Sequence, residues 1–439
     1  MKETATLYNG DCMEVLDRLK ENSIDCIVTD PPYGLTSITK RFGKDESVPV
    51  KEEGNDGSFA RLTKGFLGKE WDGSGIELNV NMWRKCWNCL KPGGYLLAFG
   101  GSRTFHRIAC AIEDAGFELR DTIMWLYGCG FPKATDIGLM IDKRNGVESN
   151  VVGSAKSGSN SRAYQSEETT TAGEYEIKEA TNEWRGWKTS LKPAFEPIIV
   201  ARKPCEGSCV DNVLKYGVGA LNIEECKVGD EVIGAKTNQD FKYIGNAQKE
   251  AGNGSHLSFG QISNAPRVEG GEHIGRYPAN VIHDGLEEEW SRYFYSAKAS
   301  TEDREEGLDS LPTGLLHRMR PDKNEATGLN TEPRFAPQER KNIHPTVKPT
   351  ELMRYLVRLV APNGATILDP FMGSGSTGKA VMIENNEKNK DYKFVGIEKE
   401  QEYYNIAKAR ILYAKQNKPQ LEEPTNEDIT VTEEQICLF

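Results

Sequence analysis

The feature that most constrains this chain is the run Ile24-Asp25-Cys26-Ile27-Val28-Thr29, which stops abruptly at Asp30-Pro31-Pro32-Tyr33-Gly34. A run this nearly apolar is what a parallel strand covered on both faces requires, and α/β sheets place their ligands at the carboxyl ends of such strands. Two consecutive prolines fix the backbone there and remove two N–H donors. The carbonyls of Asp30 and Pro31, with the Asp30 carboxylate, then form an all-acceptor cradle for a planar NH2 group, and Tyr33 offers a face on which an aromatic base can stack. Acceptors are what such an amine needs. Its lone pair is delocalised into the ring, and hydrogen bonds from both N–H groups favour a more tetrahedral nitrogen that can attack an electrophile.

The surrounding pattern is α/β. A strand from Thr4 to Tyr8, Gly10-Asp11, a helix from Cys12 to Leu19 and the Ile24 strand make one βαβ unit. A second unit runs from a helix at Asn79 to Leu90 through Pro92-Gly93-Gly94, read as a turn, to strand Tyr95–Phe99, a helix over 104–115 and an alternating strand from Phe117 to Trp125. Between the units, residues 35–75 hold Phe66, Trp71 and Asp72 without periodicity and read as a long mobile loop. From 128 to 342 the pattern is irregular. Val151 to Gly173 is rich in Ser, Gly and Thr and reads as flexible, one clear strand covers Phe195 to Ala201, and the acidic runs 287–289 and 302–306 read as solvated faces. Order returns over 343–414, with a helix from Thr350 to Val360, strand 366–368, a helix from Ser376 to Ile383, strand Lys393–Ile397 and a helix from Gln401 to Tyr413; residues 415–439 form an acidic tail.

A second strand tip carries Asp369-Pro370-Phe371-Met372-Gly373-Ser374-Gly375-Ser376-Thr377-Gly378. Its glycines let the backbone approach a ligand closely, and Lys379 falls in the wrong place to complete a phosphate loop. About thirty residues on, Phe394-Val395-Gly396-Ile397 ends in Glu398, the position for a ribose diol contact.

Composition narrows the possibilities. With 55 basic and 66 acidic residues the net charge is −11, so the chain does not coat nucleic acid through bulk charge, and any such contact is local. Ten scattered cysteines do not make a disulfide framework. No run reaches the roughly 18 apolar residues of a membrane helix, and the start lacks a signal-peptide core, so a cytoplasmic location is expected without membrane partners. Cys86-Trp87-Asn88-Cys89 has zinc-knuckle spacing, but it lies on the apolar face of a helix pattern and no His pair follows, so no metal site is expected.

The tetrapeptide Asp30-Pro31-Pro32-Tyr33 together with Asp369 to Gly375 resembles the S-adenosylmethionine-dependent DNA amino-methyltransferases, in the group where the catalytic tetrapeptide precedes the cofactor loop. Gly10-Asp11-Cys12 and His344-Pro345-Thr346-Val347-Lys348-Pro349 match further. Segments 65–72, 193–200 and 277–284 are similar to phage and prophage members. The resemblance implies a Rossmann-like, circularly permuted α/β fold with one mostly parallel seven-stranded sheet, a large irregular insertion, and both termini on the same side. Residues 1–127 would be the catalytic half, 128–342 a target-recognition insertion lending strand 195–201 to the sheet, and 343–414 the cofactor half.

By the same resemblance the cofactor is S-adenosylmethionine. Asp369, Phe371, Gly373, Ser374 and Gly375 would line its methionine and ribose, Glu398 would hold the ribose hydroxyls, and Asp11 and Cys12 would sit near the adenine. His344, Thr346, Lys348 and Pro349 would close over the methionine moiety, while Asp30, Pro31, Pro32 and Tyr33 would receive a flipped base. The expected partner is double-stranded DNA, methylated at adenine N6, with cytosine N4 as the near rival; a homodimer and a cognate restriction endonuclease are further candidates. A protein or RNA methyltransferase and a non-catalytic DNA-binding module are the remaining readings. Arg202 with Lys203 and Arg318 with Arg320 are candidate DNA-backbone contacts or plain surface charges, and Trp125, Tyr127 and Phe131 are candidate base-stacking or core residues.

Overall fold

In the computed structural model, residues 4–33, 75–128, 134–156, 174–233, 273–285, 289–297, 300–316 and 338–417 are described. The first half runs β1 (Ala5–Asn9), α1 (Cys12–Leu16), β2 (Ile24–Thr29), α2 (Val80–Cys89), β3 (Leu90–Phe99), α3 (Phe105–Asp114) and β4 (Glu118–Leu126). The middle holds α4 (Ile137–Asn145), β5 (Asn150–Lys156), β6 (Glu174–Glu179), β7 (Phe195–Arg202), α5 (Cys209–Tyr216), β8 (Val228–Ile233), β9 (His273–Arg276), β10 (Val281–His283), β11 (Tyr295–Ser296), α6 (Thr301–Glu305), β12 (Gly314–Leu316) and β13 (Gln338–Arg340). The last part is α7 (Thr350–Val360), β14 (Thr366–Asp369), α8 (Ser376–Glu387), β15 (Lys393–Glu398) and α9 (Gln401–Gln416).

One sheet organises these elements, in the order β1-β15-β14-β2-β3-β7-β4-β10-β11. Every neighbouring pair is parallel except those made by β7, which runs antiparallel to both β3 and β4. The seven strands from β1 to β4 are the expected core of the sheet, and β10 and β11 lengthen it to nine. Those two are three and two residues long, too short to leave a period-two signature. All six residues of β2 are buried, as a strand covered on both faces must be. Cys26 and Val28 join one core layer with α7, α8 and α9, whereas Ile27 joins the other with α1, α2 and α3.

Four readings change. Pro92-Gly93-Gly94 lies inside β3 rather than in a turn before it; the register with β2 shifts between Ile24 and Cys26, and Gly93 absorbs the irregularity at φ +77°. Val151 to Lys156 lie in β5, which pairs antiparallel with β6, so this part of the Ser/Gly/Thr-rich stretch is a strand, and residues 157–173 lie outside the described residues. Arg202 and Lys203 are not available to DNA. Arg202 is buried and bonds Glu118 at 2.8 Å, and the buried Lys203 ammonium donates to Asn22 Oδ1 and to the Trp87 and Leu90 carbonyls at 2.7–2.9 Å. That places a cation on the free carbonyls at the end of α2, where the helix dipole favours one. The fourth concerns residues 302–306, which belong to the site below. Residues 35–74 of the long loop, Phe131, Glu287 and Glu288 of the first acidic run, Arg318, Arg320 and all but the first residues of the acidic tail lie outside the described residues.

Cys86 and Cys89 are buried under the sheet, the Cys89 thiol donating to the Cys86 carbonyl at 3.2 Å. No group of three or more His, Cys, Asp or Glu among the described residues is arranged to hold a metal, and no helix among them is long and apolar enough to cross a membrane.

Candidate active site

Because β7 runs against its neighbours, its first residues share an edge with the carboxyl ends of β2, β3, β4, β14 and β15. Asp30 follows β2, Asp369 ends β14, Glu398 ends β15 and Glu196 is the second residue of β7 on this edge. The two strand tips are joined directly. The Thr29 hydroxyl, one residue before Asp30, donates to Asp369 Oδ1 at 2.7 Å.

At the first tip, Lys348 Nζ lies 2.6 Å from Asp30 Oδ2, 3.0 Å from the Tyr33 hydroxyl and 3.3 Å from Glu196 Oε2. The Tyr33 hydroxyl in turn donates to Glu196 Oε2 at 2.8 Å, and Thr104 Oγ1 donates to the Tyr33 carbonyl at 2.6 Å. The ammonium also sits over the Tyr33 and Phe99 rings, 5.3 and 4.9 Å from their centroids. Burial raises the Asp30 carboxyl above its usual range; Lys348 opposes that rise and Glu196 adds to it. Burial alone would lower Lys348, but Asp30 and Glu196 outweigh it and hold the ammonium charged. Asp30 Oδ1 is buried and has no hydrogen-bond partner among the described residues. A buried acceptor in that state costs about 1–3 kcal/mol, which marks it as a place for a ligand donor.

The second tip is saturated. Asp369 Oδ1 accepts from Thr29 and from the Phe371 N–H at 3.1 Å, and Oδ2 accepts from Thr377 Oγ1 at 2.6 Å. Burial pushes its carboxyl up to about 6, against those three donors. The turn after it needs glycine. Gly373 adopts φ +52° and Gly375 φ +79°, and a Cβ on Gly373 would stand 2.9 Å from His344 Nε2. Glu398 closes the turn, accepting from the Gly373 N–H on one oxygen and the Glu400 N–H on the other, each at 2.8 Å. Burial pushes this carboxyl up to about 7. Asp11 caps α1 through the Met13 N–H at 2.9 Å, and the buried Cys12 begins that helix.

The segment from His344 to Pro349 spans the two tips. His344 is buried against Tyr403, its pKa pushed down to about 3 by burial and by Arg304, so the imidazole is neutral near pH 7. The Lys348 carbonyl accepts from Ser376 Oγ of the glycine turn at 2.9 Å while its ammonium reaches Asp30. One residue therefore touches both tips, and its charged end lies on the tetrapeptide side. Thr346 donates its N–H to His344 Nδ1 at 3.3 Å, and Pro349 precedes α7 without offering a capping side chain.

Asp303 supplies that cap from the middle region. Its Oδ2 accepts from the Thr350 N–H at 2.7 Å, and its Oδ1 lies 2.8 Å from the buried Lys379 ammonium and 3.6 Å from the fully buried Arg410. Arg410 also donates to the Ser374 carbonyl at 2.7 Å. The 302–306 run is thus not a solvated face: its second acid anchors three helices behind the glycine turn. Sequence reading missed Glu196, Thr29, Thr377, Asp303 and Arg410. Glu196 had a usable signal, an acid next to Pro197 opening an otherwise apolar strand, whereas Asp303 is indistinguishable from its acidic neighbours.

Two strand tips that share one edge, one presenting an empty acceptor and the other a glycine turn closed by a carboxylate, define an α/β group-transfer type of site. A family model described as DNA methylase, N6_N4_Mtase, matches residues 24–409, and the chain belongs to that family of DNA amino-methyltransferases. Type II methyltransferase M.HindIII of Haemophilus influenzae is 23% identical over 440 residues, covering 94% of this chain and 96% of that protein. Type II methyltransferase M2.LlaDCHI of Lactococcus lactis subsp. cremoris is 40% identical over 126 residues, covering 28% of this chain and 42% of the relative. Among solved structures, the M1.HpyAVI–SAM complex is 16% identical at a TM-score of 0.36 (93% and 98% of the two chains). The cytosine-N4-specific PvuII DNA methyltransferase is 13% identical at 0.41 (93% and 86%).

Proposed function

We propose that this DNA methyltransferase acts on the N6 amine of adenine in specific double-stranded DNA sites, receiving the base flipped out of the helix at Asp30-Pro31-Pro32-Tyr33. The observation that carries the reading is the buried, partnerless Asp30 Oδ1 beside the Tyr33 ring. An adenine amine would donate one N–H there while its ring stacks on Tyr33, and removal of water from this pocket keeps the attacking nitrogen aligned. The neighbouring turn suits S-adenosylmethionine, the cofactor of this reaction. Gly373 lets the turn adopt φ +52° and pass directly under the His344 ring, and each Glu398 oxygen accepts one backbone N–H and keeps a lone pair for a hydroxyl. Bound there, the group supplies a sulfonium methyl as electrophile. Asp369, Phe371, Ser374 and Gly375 shape its cradle, Asp11 and Cys12 lie at the far end, and His344, Thr346 and Pro349 close it. The contact of β1 with β15 supports a circularly permuted chain order, and the 128–342 region, minus its sheet strands, is the proposed reader of DNA sequence.

The test is nucleoside mass spectrometry on DNA hydrolysed after incubation with the protein and donor, paired with long-read sequencing of DNA from expressing cells. N6-methyladenine in one sequence context is expected. N4-methylcytosine alone would overturn the choice of base, and absence of methyl from all DNA, with transfer to protein or RNA, would overturn the substrate.

A further inference from the structure

We infer that Glu196, at the start of the antiparallel strand β7, is a positioning residue for methyl transfer: acting through Lys348 and Tyr33, it keeps the cluster of Asp30, Lys348 and Glu196 net negative and one Asp30 oxygen open to the amine. The inference rests on the reading of Asp30 as the amine acceptor.

The bonding fixes the argument. An ammonium has three donors, and Lys348 directs its own at Asp30 Oδ2, the Tyr33 hydroxyl and Glu196 Oε2. Because Glu196 draws the ammonium to one side, Lys348 holds Asp30 by a single oxygen and Oδ1 stays unpaired. Glu196 also accepts the Tyr33 hydroxyl at 2.8 Å, which locks the plane of the ring on which a base would stack. Without this carboxylate, Lys348 is free to bridge both Asp30 oxygens, and the phenol loses its acceptor.

Charge makes the same point. Two carboxylates and one ammonium, with side chains only 20%, 21% and 7% exposed, leave the cluster with one net negative charge. As the N–C bond forms at the base and the S–C bond breaks, positive charge passes from sulfur to nitrogen, and the surplus proton of that nitrogen goes to the Asp30 carboxylate. A negative cluster beside the nitrogen stabilises that movement of charge, and a preorganised, partly dry site makes the effect large. With Glu196 neutralised, Lys348 cancels Asp30 and the cluster pulls no charge towards the amine.

The experiment compares wild type, Glu196→Gln, Glu196→Asp and the double variant Glu196→Gln/Lys348→Met at saturating donor. Transfer rates, donor affinity by calorimetry, base extrusion by 2-aminopurine fluorescence in target DNA, and melting temperature are measured for each. Glu196→Gln should lower kcat about 100-fold, with donor affinity changed by no more than about threefold. Glu196→Asp, which keeps the charge, should recover part of the loss. The double variant restores the single negative charge and should be faster than Glu196→Gln alone. Base extrusion should survive in Glu196→Gln with altered fluorescence intensity, reporting a displaced Tyr33. The inference is overturned if Glu196→Gln matches wild type, if its loss follows donor affinity or melting temperature, or if the double variant is no faster than the single. Failure of the wild-type protein itself to methylate DNA would sink the underlying reading instead.

Discussion

Asp30 and Asp369 end adjacent parallel strands, lie next to each other on one edge and are both held up in pKa by burial, yet they are partnered in opposite ways. Asp369 has both oxygens filled by Thr29, Phe371 and Thr377. Asp30 has one oxygen on Lys348 and the other buried and open. A saturated carboxylate holds its own chain in shape, whereas an unsaturated buried one is held for something that arrives. The difference predicts opposite kinetic signatures. Asp30→Asn should reduce kcat roughly a thousandfold, about 4 kcal/mol of transition-state stabilisation, with donor affinity nearly intact. Asp369→Asn should instead weaken donor binding about tenfold. Calorimetry with S-adenosylmethionine and single-turnover methyl transfer measure the two; equal loss of donor binding in both would erase the distinction.

Asp303 sharpens the rule, since it too is saturated although it lies far from both motifs in the chain. Removing it leaves the buried Lys379 and Arg410 with fewer counter-charges and uncaps α7. Asp303→Ala should therefore cost about 3 kcal/mol of stability, read as a lowered midpoint in urea, with the pattern of a structural acid and no selective loss of kcat. Burial acts to raise the Asp303 carboxyl, but Lys379 and the Thr350 bonds outweigh it and hold the pKa below the usual range. A depressed carboxylate stabilises above its unfolded pKa of about 3.9 and loses that contribution as pH falls through the folded value, so wild type and variant should converge below about pH 4. A milder substitution, Thr29→Val, removes one donor from Asp369 and the link between the tips. Its expected effect is about 1–2 kcal/mol of stability and a few-fold weaker donor binding, and an unchanged melting curve would show that the link is idle.

What the sequence reveals about this molecule follows from how local the determining physics is. The β2 run, the two prolines after Asp30 and the glycines at 373 and 375 are local statements about backbone, and the structure places them together at one edge. Lys348 was legible as a site residue but not its orientation: which tip its ammonium serves depends on Glu196, 152 residues earlier on a strand that runs backwards. Burial of Arg202 and Lys203 was illegible for the same reason, because Glu118, Asn22 and the end of α2 that receive them come from distant segments. Charged residues at a strand end read as surface until the tertiary fold supplies partners. Short strands such as β10 and β11 are stabilised by the sheet they extend rather than by their own composition, so nothing in their sequence announces them.

The smallest expected effect separates the two acids on the glycine-turn side. Both are raised by burial, Asp369 to about 6 and Glu398 to about 7. For an acid whose folded pKa lies above its unfolded one, the folded state binds the proton more tightly, so stability is greatest at low pH and falls as pH rises from the unfolded towards the folded value. For Asp369 that window runs from about 3.9 to about 6, and for Glu398 from about 4.3 to about 7. Of this pair, Glu398 carries most of the titration between pH 6 and 7. The melting temperature of the unliganded protein should therefore decline over that interval, and Glu398→Gln should flatten the decline there while reducing, without abolishing, the steeper part below pH 6 to which Asp369 also contributes. An unaltered slope in the variant would mean that the two backbone N–H groups of Gly373 and Glu400 already hold Glu398 ionised in the empty site, making it as saturated as its neighbour.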